Sequence, residues 1–243
     1  MKSRARYGID APGVFKANVV LGSLFALAAA VGLAWPRPNP VPVWLGISAA
    51  FVAAILLVLA AVMLWSSLVG KKRVRDRLVA ALALSGRERV LDAGCGRGLA
   101  LIACARQLIA GRAVGIDLWA AKDLSNNNPE ATLANAAAEG VADKVEVETG
   151  DITRLPFADA SFDAVISMTV IHNIHSRDLR DQALRELMRV LKPGGRIAIF
   201  DLLHVSRYAE VLRGNGMTVR DMGHDRLWLL SGRSLLAEKP ELD

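Results

Sequence analysis

The chain has 243 residues, of which 53% are hydrophobic and 5% aromatic, and a formal net charge of +6. Its two cysteines, Cys95 and Cys104, exclude a disulfide framework and a cysteine-spaced metal site. The charge excludes a broad basic nucleic-acid face, because it is gathered in two short flanks: Lys2, Arg4, Arg6 and Lys16 against Asp10, then Lys71, Lys72, Arg73, Arg75 and Arg77 against Asp76.

Both flanks border apolar runs. Ala17–Trp35 is 19 residues without a charge and Val43–Leu64 is 22, where a membrane-spanning helix needs about 20. Pro36-Arg37-Pro38-Asn39-Pro40 cannot continue a helix and suits a short turn between them. Trp44 and Trp65 bracket the second run, roughly 30 Å apart along a helix, close to the thickness of a hydrocarbon core. Cations before the first run and after the second place both termini and the rest of the chain on the cytoplasmic side. The expectation is a multi-pass anchor over residues 1–70, with spans at about 17–35 and 43–65 and a lipid bilayer as partner. A cleaved signal peptide and a buried hairpin in a soluble protein are the competing readings. Gly22, Ala26 and Ala29 permit close helix packing, including packing against a second copy in a homo-oligomer.

From residue 71 a second domain, 71–243, is expected. Val74, Leu78, Val79 and Leu82 form an apolar stripe that predicts a joining helix over Lys71–Leu84. Strands and helices then alternate. Strand Arg89–Asp92 leads through a glycine turn into helix Leu99–Ala110, and strand Ala113–Asp117 into helix Pro129–Glu139, capped by Asn128. Strand Lys144–Glu148 and strand Phe162–Ser167 precede helix Arg177–Leu191, capped by Ser176. Pro193-Gly194-Gly195 reads as a turn before strand Arg196–Asp201, followed by helix Ser206–Arg213. Met217–Asp221 and Leu235–Lys239 read as last strands, paired as a hairpin. This alternation predicts an α/β fold with a doubly wound, mostly parallel sheet, which binds ligands beyond the carboxyl ends of its strands.

Polar residues gather at those ends. Asp92 closes the first strand, and Gly94, Gly96 and Gly98 let a ligand approach bare backbone at a helix amino terminus. Asp117 ends the second strand, 19 residues after Gly98, where a carboxylate can accept from both hydroxyls of a ribose. Asp151 follows the third strand, within reach of an exocyclic amine.

Val90–Gly98, Gly115-Ile116-Asp117, Gly150–Phe157 with Ser161-Phe162-Asp163, and Leu191-Lys192-Pro193-Gly194-Gly195 together resemble the successive motifs of class I S-adenosylmethionine-dependent methyltransferases. The resemblance covers about residues 72–240 and leaves out the apolar hairpin. It implies a seven-stranded Rossmann-like sheet with an antiparallel last strand, S-adenosyl-L-methionine as cofactor and a small-molecule methyl acceptor. It also implies that Gly94, Cys95, Gly96 and Gly98 meet the amino acid end of the cofactor, with Asp92 organising its ammonium. Asp117, with Leu118 beside it, would hold the ribose, Asp151 and Ile152 would frame the adenine, and Ser167 and Met168 would line the wall near the sulfonium.

His172, in Ile171-His172-Asn173-Ile174-His175, lies just past the fourth strand and can take a proton at neutral pH. His172 is therefore the candidate base, with Asn173 as candidate orienting residue and His175 and Tyr208 as lesser candidates. No metal ligand set is present. The short connection 202–206 offers no lid, so the anchor and joining helix are expected to bring the pocket mouth to a membrane, favouring a quinone- or lipid-like acceptor. A non-catalytic membrane-tethered scaffold or sensor and a nicotinamide-dependent oxidoreductase are the alternatives.

Overall fold

The computed structural model describes residues 5, 7–35, 41–120, 124–227 and 230–241; the turn expected over 36–40 and the cations Lys2, Arg4 and Arg6 fall outside them. Two long helices come first, α1 (Pro12–Leu33) and α2 (Val41–Trp65). They pack antiparallel. A Cβ on Gly32 would fall 2.8 Å from Gly46 Cα, one on Gly22 would meet Leu57 at 3.0 Å, and Asn18 Nδ2 contacts Met63 Sδ. The absence of side chains at Gly32 and Gly46 thus lets backbone meet backbone. Of the expected small face, Gly22 and Ala29 are buried within the hairpin and Ala26 is exposed. Both helices are long and apolar enough to cross a membrane, and only 11% and 17% of their most apolar stretches is buried.

The helix does not stop at Trp65. A π-helical turn, Ser66–Gly70, carries it directly into α3 (Lys71–Leu82), so that Pro42–Leu82 is one helical run of 41 residues. It ends two residues before the expected boundary, where Ala83 adopts a left-handed conformation with φ 49°. Val74, Leu78, Val79 and Leu82 are all buried, as their spacing predicts, and seat α3 on the domain that follows.

That domain comprises β1 (Arg89–Ala93), α4 (Leu99–Gln107), β2 (Arg112–Asp117), α5 (Pro129–Ala138), β3 (Val145–Thr149), β4 (Phe162–Met168), α6 (Arg177–Val190), β5 (Leu191–Asp201), α7 (Val205–Gly214), β6 (Thr218–Leu227) and β7 (Leu230–Glu238). The seven strands lie in the order β3-β2-β1-β4-β5-β7-β6. β1 to β5 are parallel, while β7 runs antiparallel to both β5 and β6. Alternation along each strand feeds two apolar layers. Val90, Ala164, Ile166, Ala198 and Phe200 face α3 and α4, and Leu91, Val165, Ile197 and Ile199 face α6 and α7. The expected caps are present: Ala131 N donates to Asn128 Oδ1 at 2.8 Å, and Leu179 N to Ser176 Oγ at 3.5 Å.

Three expectations change. The last two strands are longer than expected, β6 reaching Leu227 and β7 starting at Leu230. Helix α4 stops at Gln107, because Leu108 turns to an extended conformation and the next amides, Ile109 and Ala110, bond to Gly86 O. Pro193-Gly194-Gly195 is not a free turn but a bulge inside β5. Register on β4 jumps from Phe162↔Leu191 to Ala164↔Arg196. Gly194, at φ 72°, donates to Lys239 O at 2.9 Å, and Lys239 N donates to Gly195 O at 2.9 Å. The excursion is held by Lys239, the residue after β7, a partner far away in the chain.

Candidate active site

The carboxyl ends of β1, β2 and β4 open into one cleft of about 660 Å³. Asp92, Gly94, Cys95, Gly96, Asp117, Leu118, Asp151, Ile152, Met168, His172 and Asn173 all line it. His175 lines it too, so of the fifteen residues expected from sequence only Gly98, Ser167 and Tyr208 stand outside the lining. Ser167 is buried and donates its hydroxyl to Ala93 O at 2.9 Å, across the sheet. Neighbours on a strand point to opposite faces, so Met168 takes the wall and Ser167 cannot share it. Gly98 serves packing, since a Cβ there would fall 3.0 Å from both Ile102 and Thr132.

Gly94 determines how tightly the turn closes. A Cβ on it would lie 2.3 Å from Val170 Cγ2, and its φ is 81°. Val170 is delivered by Thr169, a β-branched residue held at φ 58° with its amide on Phe200 O. The same bend brings the 3₁₀ turn Ile171–Asn173 to the cleft.

Asp117 ties the turn to β2. Its Oδ2 accepts from Gly96 N at 2.9 Å, and its Oδ1 from Trp119 N at 2.6 Å and Asn127 Nδ2 at 3.2 Å. Asp151 Oδ1 accepts from Thr153 N, fixing the start of the loop after β3. Arg189 holds the next part of that loop through Leu155 O and Phe157 O. Cys95 is buried, and burial pushes its thiol well up, so it stays protonated and fills space.

Asp92 is buried and accepts from Leu101 N at 2.7 Å. Burial pushes its carboxyl up to about 7, against the pull of the Leu101 amide, and the Asp117 charge adds to the rise. The folded protein therefore holds this proton more tightly than the unfolded chain. That stabilisation is complete below the ordinary value of 3.8 and is lost as pH rises through about 7. Between about pH 5 and about pH 8 the ligand-free protein should lose stability relative to Asp92→Asn, by on the order of a few kcal/mol at most. Thermal melts of both proteins across that range check this, and parallel curves would refute it.

The other end of the cleft holds a group the sequence reading did not assemble. His172 Nδ1 lies against Asp201 Oδ1, and His172 N donates to Asp201 Oδ2 at 2.9 Å. Asp201 is fully buried and also accepts from Leu202 N at 2.8 Å and Tyr208 Oη at 3.3 Å. Burial and the Asp201 charge push the Tyr208 phenol up, so it remains a donor. An Nδ1 proton shared with that carboxylate leaves Nε2 unprotonated. Asp201 was legible as one more acid at a strand end, like Asp92 and Asp117; its pairing with His172 was not. His175 is exposed, and its carbonyl accepts from Arg180.

A cleft at the carboxyl ends of a sheet whose last strand is reversed defines a Rossmann-like nucleotide-binding domain of the methyltransferase type, not the all-parallel dinucleotide type. The nicotinamide alternative falls on this topology. Residues 91–199 match the family described as a methyltransferase domain. Over 132 residues the chain is 36% identical to methyltransferase GfsG of Streptomyces halstedii, covering 54% of this chain and 44% of that protein. It is 35% identical over 153 residues to 27-O-demethylrifamycin SV methyltransferase of Amycolatopsis mediterranei, covering 62% and 52%. A solved S-adenosylmethionine-dependent methyltransferase from Aquifex aeolicus superposes with a TM-score of 0.55 at 19% identity, covering 68% of this chain and 88% of that one. The chain spans about half the length of the curated relatives it matches. Over residues 91–199 the chain therefore resembles methyltransferases, and S-adenosylmethionine is the cofactor that this resemblance implies.

The site fits that cofactor. The turn at Gly94 and Gly96 has no side chain to obstruct a ligand, and carboxylates stand at the ends of β1 and β2 and just beyond β3.

Proposed function

We propose that the protein transfers a methyl group from S-adenosylmethionine to a hydroxyl of a small amphiphilic acceptor, quinone- or lipid-like, at a membrane surface. The observation that carries the acceptor class is where the cleft lies. Its lining includes Ala11, immediately before α1, and Lys71, the first residue of α3. It therefore opens at the roots of the two long apolar helices. If these span a bilayer over residues 1–70, the cationic ends of the hairpin put the cleft at the cytoplasmic interface. Leu118 and Leu179 leave apolar surface exposed along its rim, where an acyl or prenyl chain loses contact with water.

Asp92, Gly94, Gly96, Asp117, Asp151 and Ile152 would hold the cofactor, which supplies an electrophilic methyl group when bound. Nε2 of His172 accepts the proton of the acceptor hydroxyl as its oxygen becomes the nucleophile. Asp201 holds the imidazole by Nδ1 and stabilises the cation that forms. Met168 and Leu202 exclude water from the transfer path, and Asn173 orients the acceptor. A scaffold without turnover would have no use for a buried carboxylate directing a histidine into the cleft.

The test is methyl transfer from labelled cofactor by the full chain in lipid nanodiscs. A prenylated hydroquinone should be used at least about a hundredfold better, in kcat/KM, than its water-soluble head group, given ~0.8 kcal/mol for each buried methylene. Equal use of the two would overturn the amphiphilic reading.

A further inference from the structure

Residues 7–11 cross the cleft before the chain enters α1, and Tyr7, Asp10 and Ala11 line it. They rest on the segment after β2. Asp10 bridges Leu124 in antiparallel fashion, Ile9 N donates to Ser125 Oγ at 3.0 Å, and Ser125 N donates to Ile9 O at 3.4 Å. That segment in turn rests on the glycine turn: a Cβ on Gly96 would fall 3.0 Å from Leu124 Cδ2, and Arg97 donates to Ser125 O. From the opposite side the strap is gripped by the helical run. Lys71 Nζ donates to Tyr7 O at 3.2 Å, Gly8 O at 3.1 Å and Asp10 Oδ1 at 3.1 Å. Ser67 Oγ accepts from Asp10 N at 3.1 Å and donates to Asp10 Oδ2 at 3.3 Å. Lys71 is only 5% exposed. A cation so deeply placed is tolerated because three acceptors on one short strap meet its three donors.

We propose that Lys71 is a positioning residue for the cofactor site, latching residues 7–11 as a roof over the glycine turn. The roof precedes the helical hairpin in the chain and the latch follows it, so the α1–α2 packing sets where the roof sits. Lys71 and Ser67 are four residues apart, on one side of the helix, where the π-helical turn ends. The inference rests on the reading of the cleft as an S-adenosylmethionine site.

The test compares full-length wild type, Lys71→Met, Asp10→Ala and the exposed neighbour Lys72→Met in the same detergent. Hydrogen exchange reads the amides of residues 9, 10 and 125, and calorimetry reads binding of S-adenosylhomocysteine. Lys71→Met and Asp10→Ala should speed exchange at those amides and weaken binding by at least about tenfold, the scale of a lost charge-assisted hydrogen bond. Lys72→Met should change neither. Unchanged exchange in Lys71→Met overturns the latch. Faster exchange with unchanged affinity overturns the roof, leaving a strap that only packs. A wild type that does not bind S-adenosylhomocysteine, with exchange still responding to Lys71→Met, overturns the methyltransferase reading and the roof but not the latch.

Discussion

Asp117→Ala should raise the dissociation constant for S-adenosylhomocysteine by at least about a hundredfold, or ~3 kcal/mol. Asp117 has two tasks. It would accept from the ribose, and it already accepts from Gly96 N, Trp119 N and Asn127 Nδ2. The alanine variant removes the ribose partner and frees the turn that must lie flat beneath the ligand. Each hydrogen bond to a charged group is worth ~1.5–3 kcal/mol, and part of that is spent ordering the turn. Asp117→Asn keeps the size and one acceptor oxygen, so its loss should be intermediate. Calorimetry with circular dichroism on each variant separates lost affinity from lost fold. Tight binding by a well-folded Asp117→Ala would remove this carboxylate from the site and leave the role to Asp92 or Asp151.

His172→Ala and Asp201→Asn should each lower kcat by about 10²–10⁴ while leaving S-adenosylhomocysteine affinity nearly unchanged. The asparagine case follows from proton position. Facing His172 Nδ1, an amide nitrogen would donate where the carboxylate accepts, driving the imidazole proton to Nε2 and removing the base. Asp201 also accepts from two backbone amides and Tyr208, so this variant should lose ~1–3 kcal/mol of stability as well. Single-turnover transfer, with KM for both substrates, isolates the chemical step. Because the two residues act as one unit, the double variant should be little worse than either alone. A loss under about threefold for each single variant would show that alignment alone suffices and that His172 only borders the acceptor.

Much of the fold was legible because its signals are local. The glycine turn, the Asn128 and Ser176 caps and the period of each helix depend on residues a few places apart. The bulge at Pro193–Gly195 was not legible, because its bonding partner is Lys239. The continuity of α2 with α3 was hidden by the cations at 71–73, which read as a boundary although helices pass through lysine and arginine readily. Asp201 and His172 lie 29 residues apart, and Lys71 and Tyr7 lie 64 apart. Composition carries no trace of such meetings. The strap was not legible either, because residues 7–11 meet partners as far along the chain as Ser125.

The uninterrupted helix from Pro42 to Leu82 also constrains how the molecule can evolve. Adding or deleting one residue between Trp65 and Val74 would turn everything after it by about 100° around the helix axis. The cleft would then face away from residues 7–11, which enter from the other helix of the pair. A flexible tether would tolerate such a change; this junction works as a keyed shaft. Length at the junction should therefore be inherited as strictly as any residue in the cleft, because Lys71, within it, lines that cleft.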